Sequence, residues 1–285
     1  MNWDNLGFVI CKPDAVYLHL EQEILSFLRQ KGFQILACKY VTITPDLCKL
    51  LYWDGYRNSP KLWELKSEFF HLGESLCVLV QGTPQSPYKS VSELISQKWK
   101  GDFRPEKVKE GTVRHTFGSM SRIFNLFHSS DCTSAAKKEA ALFFTDKELG
   151  RSIYQGVSCL PKQKKKRNLN LDVTDIYFRI KQQCIQASSI HPEVKRKYRN
   201  YIDEKHYQAM GVSKSEKEIW LYKTLKKEYR KFYHVIHEDE LLKCITDYEG
   251  FIKIDYDTLF QVFAAMDLNL TKWETCLLKT TMLNF

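Results

Sequence analysis

The sequence lacks any Cys-x-x-Cys pair, although it holds nine cysteines: Cys11, Cys38, Cys48, Cys77, Cys132, Cys159, Cys184, Cys244 and Cys276. Their odd number and wide scatter argue against a disulfide framework or a zinc ribbon and favour a reducing, cytoplasmic setting. Structural roles are expected for them. Cys77, for example, sits in Leu76-Cys77-Val78-Leu79-Val80, where a thiol behaves as a small hydrophobe. A run of about 18 uncharged apolar residues, the least that a spanning helix needs, is also missing. The start of the chain carries Asp4 and Lys12 in place of a basic segment, an apolar run and a small-residue cleavage site. Neither membrane spanning nor standard secretion is expected. No repeat with a period of about 20–50 residues is visible, which argues against a solenoid.

What is present is a basic, core-forming chain. Of 285 residues, 43 are Lys or Arg and 34 are Asp or Glu, a net charge of +9, and 44% are hydrophobic. That composition supplies a packed core for one or two domains and excludes a disordered chain. The excess charge is uneven: residues 1–150 carry 19 basic and 17 acidic side chains, and residues 151–285 carry 24 and 17. Pro161-Lys162-Gln163-Lys164-Lys165-Lys166-Arg167-Asn168 lies between the halves and reads as an exposed basic linker. We therefore expect a first domain over 1–150, a linker over 151–170 and a second domain over 171–285.

The first half alternates strand and helix signals. Phe8-Val9-Ile10 is a short apolar run, and Leu20, Ile24, Phe27 and Leu28 recur at one-face helical spacing. Phe33 to Ile43 is β-rich, Thr44-Pro45 opens a helix, and Leu76 to Val80 reads as a buried strand. Ser92 to Trp99 is helical in pattern. Ile123 to Phe127 reads as a last strand before an Ala/Lys/Glu-rich helix. About four strands among helices predict an α+β sandwich with helices on one face of the sheet.

The second half reads as four or five helices. Candidates are Asp175 to Ala187, Glu193 to Tyr207, Tyr256 to Met266, and Lys272 to Leu283 behind a Thr271/Glu274 capping spacing. Ser213 and Glu216 form another such spacing. Leu221, Leu225, Tyr229, Phe232 and Ile236 then predict one long amphipathic helix, its other face carrying Lys223, Lys226, Lys227, Arg230 and Lys231. That face is solvated or meets an acidic partner or nucleic acid. His234 and His237 have helical i, i+3 spacing but no third ligand at a telling distance, so no metal site is assigned. A calcium loop through Gly250 is rejected, because it would place Ile245 and Tyr256 where oxygen ligands are needed.

The chemistry concentrates in Arg122-Ile123-Phe124-Asn125-Leu126-Phe127-His128-Ser129-Ser130-Asp131, followed by Glu139 on a helix. A histidine at a strand end, held by neighbours and left with one free nitrogen, can serve as a nucleophile or base. Taken with Lys12-Pro13-Asp14-Ala15-Val16, Gln30-Lys31-Gly32-Phe33, Tyr52 and Gly111-Thr112-Val113-Arg114, the chain resembles the nucleoside diphosphate kinase family over about residues 5–150.

That resemblance implies a ferredoxin-like fold with a four-stranded antiparallel sheet, followed here by a mainly α-helical domain. It implies transfer of the γ-phosphate of a nucleoside triphosphate to His128 and on to a nucleoside diphosphate or a related acceptor. By the same likeness Glu139 orients the imidazole, and Lys12 and Arg114 contact phosphate and sugar oxygens. Tyr52 places a hydroxyl beside the transferred group, Asn125 contacts ribose or phosphate, and Ser130 and Asp131 begin the helix beside the nucleophile, with Ser130 in reach of the nucleotide. Mg²⁺ would arrive bound to the nucleotide, and homo-oligomers are common in the family.

The chain departs from the family's Arg-x-x-x-Gly-x-Thr-x-Pro phosphate loop, with Gln97 at the arginine and Phe103 at the threonine. Lys98, Lys100 or Arg104 could reach in as substitutes, although a lysine does not reproduce a guanidinium fork. Each uncompensated loss would cost about 1.5–3 kcal/mol, or one to two orders of magnitude in binding. Ser129 replaces a small glycine, and Leu62 or Trp63 is the candidate for stacking on the base. Asn125 and His128 have opposite parity, so a continuous strand would aim them at opposite faces. A catalytically weakened nucleotide-binding or assembly module, with a partner-binding helical domain, is the alternative reading.

Overall fold

The computed structural model describes residues 2–58, 60–155, 171–214, 216–246, 256–266, 268 and 270–282. The basic stretch 161–168 and the segment around Gly250 lie outside the described residues. The chain divides into two compact units, Met1–Ser119 with Asn125–Asn170, and Met120–Phe124 with Leu171–Phe285.

In chain order the first unit contains β1 (Leu6–Cys11), α1 (Pro13–Tyr17), α2 (Glu21–Gln30), β2 (Gln34–Val41), α3 (Pro45–Leu51), α4 (Trp53–Asn58), α5 (Pro60–His71) and β3 (Ser75–Gln81). It continues through α6 (Val91–Leu94), a π-helical turn (Ile95–Trp99), α7 (Val113–Phe117), β4 (Phe127–Ser129), α8 (Thr133–Ala141) and α9 (Asp146–Gln155). The sheet has four strands in the order β2-β3-β1-β4, all neighbours antiparallel. This is the ferredoxin-like α+β fold.

Pairing registers set two separate cores. Val9 lies opposite Val78 and Phe8 opposite Leu79, so alternation sends each pair to its own face. On one face Val9, Cys11, Leu76, Val78 and Val80 pack with Ile24, Leu25 and Leu28 of α2. On the other, Phe8 stacks on Phe143 with centroids 5.5 Å apart and meets Phe144 edge-on. The expected one-sided sandwich is thus corrected: β1 is buried throughout, because the segment after α8 covers the second face. The last strand is also displaced. Ile123 to Phe127 was expected, but β4 is Phe127–Ser129, and the apolar Ile123 and Phe124 are buried within the second unit instead.

The second unit is helical: α10 (Val173–Ala187), α11 (Pro192–Met210), α12 (Lys217–Lys231), α13 (Tyr233–His237), α14 (Glu240–Thr246), α15 (Tyr256–Ala265) and α16 (Lys272–Met282). The capping box of α16 forms as expected: Glu274 N–H donates to Thr271 Oγ1 at 3.2 Å, and Thr271 N–H to Glu274 Oε2 at 2.8 Å. The one at Ser213 does not, because its hydroxyl donates to the Glu216 carboxylate and the helix starts later, at Lys217. The predicted single long helix is two, parted at Phe232, where the backbone leaves helical geometry (φ −114°, ψ 24°). Phe232 is drawn inward by stacking on Tyr198 at 4.2 Å. Lys223, Lys227, Arg230 and Lys231 of that basic face are exposed. The segment Met120–Phe124 is held in this unit by Ser121, whose hydroxyl pairs with Thr280 at 3.3 Å, and by Phe124 against Trp273 at 6.3 Å.

Candidate active site

β4 is three residues long, and its middle residue is His128, opposite Ile10 of β1. The imidazole is fixed at both nitrogens. Nε2 lies 2.8 Å from Glu139 Oε2, and Nδ1 lies 3.2 Å from the Tyr52 hydroxyl. The same carboxylate oxygen accepts a 2.6 Å hydrogen bond from Ser130 Oγ. Glu139 reaches the ring because α8 begins at Thr133, after the Ser130-Asp131-Cys132 turn, and carries it on the second helical turn. Burial lowers the His128 pKa below its ordinary value, against the opposing pull of Glu139. The ring is therefore neutral near pH 7, and the two contacts assign the proton to Nε2. Burial raises the Tyr52 pKa well above the ordinary phenol value, so its hydroxyl donates to Nδ1.

A cationic group stands beside the ring. Lys12 Nζ donates to Asn125 Oδ1 at 2.9 Å, and Arg114 Nη2 donates to the same oxygen at 3.1 Å. Arg114 also donates to the carbonyls of Gly101 (3.0 Å), Asn125 (3.2 Å) and Phe127 (2.6 Å). A Cβ at Gly101 would stand 2.7 Å from Thr112 Oγ1 and 3.1 Å from Arg114 Cβ, so this close approach needs glycine. Lys12 sits over the Phe69 and Phe70 rings, 4.6 and 5.6 Å from their centroids. Burial lowers its pKa to about 7, and burial lowers that of Arg114 to about 10.

The parity conflict between Asn125 and His128 is resolved by the backbone. Asn125 precedes the strand, and Leu126 takes a left-handed φ of 67°, costly for a branched residue. Two bonds hold it there: its N–H donates to buried Asp14 Oδ2 at 2.9 Å, and its carbonyl accepts from Lys12 N–H at 2.9 Å. Asp14 Oδ1 also accepts from Ala15 N–H in the first turn of α1, at 3.1 Å. Sequence reasoning did not single out Asp14, and its signal was present in Lys-Pro-Asp opening a helix.

Not every expected residue joins the cluster. Arg104 is turned to Asp102, with contacts of 3.0 and 2.9 Å. Lys98 donates to Gln85 at 3.4 Å and lies 4.8 Å over the Trp99 ring. Of the three possible substitutes only Lys100 is directed here, donating to Asp131 at 2.9 Å and to the Ser129 carbonyl at 3.4 Å. The π-helical turn shifts the helical phase before it, with Lys100 N–H bonding Ile95 O at 2.8 Å. Gln97 donates to Glu93 at 3.2 Å, and Phe103 is 48% exposed. The Ser130 hydroxyl, expected to be in reach of the nucleotide, is bonded to Glu139 and lies 3.4 Å from the Phe8 carbonyl. Ser129 alternates with His128 and is buried on the opposite side of the strand. Leu62 and Trp63 are partly buried on α5.

A ferredoxin-like sheet that gathers a neutral oriented imidazole, a carboxylate and buried cations at one strand end defines the class, a phosphotransferase domain. The chain belongs to the nucleoside diphosphate kinase family, whose pattern it matches over residues 5–149. It is 32% identical over 143 residues to a nucleoside diphosphate kinase of Methanobrevibacter smithii, covering 50% of this chain and 89% of that protein. Among solved structures it is similar to a family protein from Babesia bovis, with TM-score 0.44, 27% identity and coverage of 50% and 90% of the two chains. Another is the nucleoside diphosphate kinase of Halobacterium salinarum in complex with CDP, with TM-score 0.45, 26% identity and coverage of 51% and 90%. The helical unit lies outside the family match.

Proposed function

We propose that the first unit moves the γ-phosphoryl group of a nucleoside triphosphate to a nucleoside diphosphate, or a related acceptor, through phospho-His128. The observation that carries this reading is the imidazole, held by Glu139 at Nε2 with Nδ1 directed to the Tyr52 hydroxyl.

In the first half-reaction the Nδ1 lone pair forms a bond to the γ-phosphorus. The bond from that phosphorus to the bridging oxygen breaks, and the nucleoside diphosphate leaves with the electron pair. The proton on Nε2 stays shared with Glu139, which stabilises the cationic phosphorylated ring. In the second half a terminal oxygen of the acceptor attacks the same phosphorus and the N–P bond breaks. Lys12 and Arg114 neutralise phosphate oxygens, Asn125 orients them, and the Tyr52 hydroxyl, released from Nδ1, donates to the transferred group. Such transfer depends on positioning and charge neutralisation.

A divalent cation enters this reading only as part of the substrate, on the phosphate oxygens. Among the described residues no group of three His, Cys, Asp or Glu is placed to hold one. No described helix is long and apolar enough to cross a membrane, and the described cysteines are free thiols, which suits a cytoplasmic setting.

Incubation with γ-labelled ATP should leave an acid-labile, alkali-stable label that a nucleoside diphosphate removes and that His128→Ala abolishes. A chain that binds nucleotide tightly by calorimetry yet never takes label is instead the weakened binding module. The outward Gln97 and Phe103 favour that second reading; the intact geometry around His128 opposes it.

A further inference from the structure

The phosphate-loop arginine and threonine positions are occupied by Gln97 and Phe103, and neither replacement is directed at the site. A cation from a different element stands close by. Lys66 lies on α5, on the helical face that carries Leu62, Phe69 and Phe70. Its ammonium rests 4.2 Å from the centroid of the Tyr52 ring, and the Tyr52 hydroxyl is the group bonded to His128 Nδ1. Phe70 packs on the same Tyr52 ring at 5.7 Å and lies under Lys12 at 5.6 Å. Lys66 is therefore separated from the nucleophile by one aromatic ring and shares an aromatic wall with Lys12.

The Lys66 ammonium donates to no oxygen among the described residues; the Tyr52 ring is its recorded contact. It is also partly buried. Burial lowers its pKa, and its charge in turn depresses that of Lys12. Asp14 offsets part of the repulsion at Lys12, and a further anion beside the Lys66 ammonium would be favourable. A cation–π contact is weaker than a charge-assisted bond to a phosphate oxygen, and the flexible four-carbon stem lets the ammonium turn from ring to ligand.

We propose that Lys66 is a phosphate-binding residue of this site, contacting the terminal phosphates of the nucleotide in place of the missing loop arginine and threonine. The inference rests on the phosphotransferase reading given above. It gives the chain a polyphosphate grip delivered from α5 beside Tyr52, and makes affinity depend on the number of phosphates carried.

Calorimetry on the full chain tests it with a non-hydrolysable β,γ-substituted ATP analogue, AMP and adenosine as probes. Lys66→Met should weaken the triphosphate analogue about tenfold to a hundredfold and leave adenosine unchanged. Lys66→Arg, which keeps the charge, should recover most of the loss and provides a folded control should the methionine variant unfold. Equal weakening of all three probes, or no weakening of the triphosphate, overturns the proposal. The phosphotransferase reading fails separately: a wild-type chain that binds the analogue but never labels at His128 loses that reading and still reports on Lys66. A wild-type chain that binds no nucleotide defeats both.

Discussion

Lys12 of the first unit and Lys181 of the second are both buried, and they are held differently. Lys181 of the helical unit is fully buried against an equally buried Glu228 at 2.7 Å, with the hydroxyls of Thr246 and Tyr198 hydrogen-bonded to the pair. Lys12 of the first unit, 5% exposed, donates to an amide oxygen, faces two aromatic rings and feels the buried Asp14 carboxylate, with the charges of Arg114 and Lys66 acting against it. In the first case the charge is matched inside the fold. In the second, Asp14 acts on an ammonium that Arg114 and Lys66 repel, and on the phosphotransferase reading proposed above an arriving phosphate would add further compensating charge.

Unfolding measurements give the largest test. Glu228→Ala leaves Lys181 buried and uncompensated and should cost about 3–5 kcal/mol, whereas replacing the pair by Met and Leu should be neutral or stabilising. Lys12→Met should do the reverse, with phosphoryl transfer falling about tenfold to a hundredfold while the unfolding midpoint holds or rises. Should Lys12→Met instead destabilise as Glu228→Ala does, the contrast is lost. Asp14→Ala, which strips the Leu126 N–H of its acceptor, should cost about 1–3 kcal/mol. Asp14→Asn keeps an acceptor oxygen and should recover most of it.

A pH slope tests the same lysine. The Lys12 pKa of about 7 lies below the ordinary lysine value of about 10.4. Between the two, the unfolded chain binds more protons, so Lys12's contribution to stability rises with pH across that window and is lost as pH falls through it. On the proposed function, nucleotide affinity should move the opposite way, weakening as pH is raised through about 7. Both slopes should flatten in Lys12→Met, as followed by denaturant titration and calorimetry at several pH values.

The candidate site was legible in the sequence chiefly through the family resemblance: the Lys-Pro-Asp-Ala-Val and Asn-x-x-His-x-Ser-Asp motifs single out Lys12, Asn125 and His128, and the structure brings Glu139 and Tyr52 to the His128 ring and Arg114 to Asn125. Other features depend on long-range packing. Ile123 and Phe124 looked like strand because apolar periodicity reports burial and not element type; their burial is in the helical unit. A left-handed leucine at position 126 has no local signature, since its conformation is enforced by Asp14, far away in the chain. Lys98 and Arg104 were plausible substitutes on spacing alone, but a π-helical turn and the Asp102 contact leave Lys100 as the one brought in. Lys66 was hidden because nothing in an amphipathic pattern tells which neighbouring ring a lysine covers.

The assignment of Met120–Phe124 to the helical unit also bears on how the protein can be dissected. The polypeptide visits that unit, returns to supply Asn125 and His128, and leaves again, so no single cleavage point separates enzyme from appendage. A fragment truncated near residue 150 would keep Phe124 but lose Trp273 and Thr280, stranding a greasy segment immediately upstream of Asn125. Poor solubility or weak turnover of such a fragment would therefore report on an orphaned loop and not on the intrinsic competence of the imidazole.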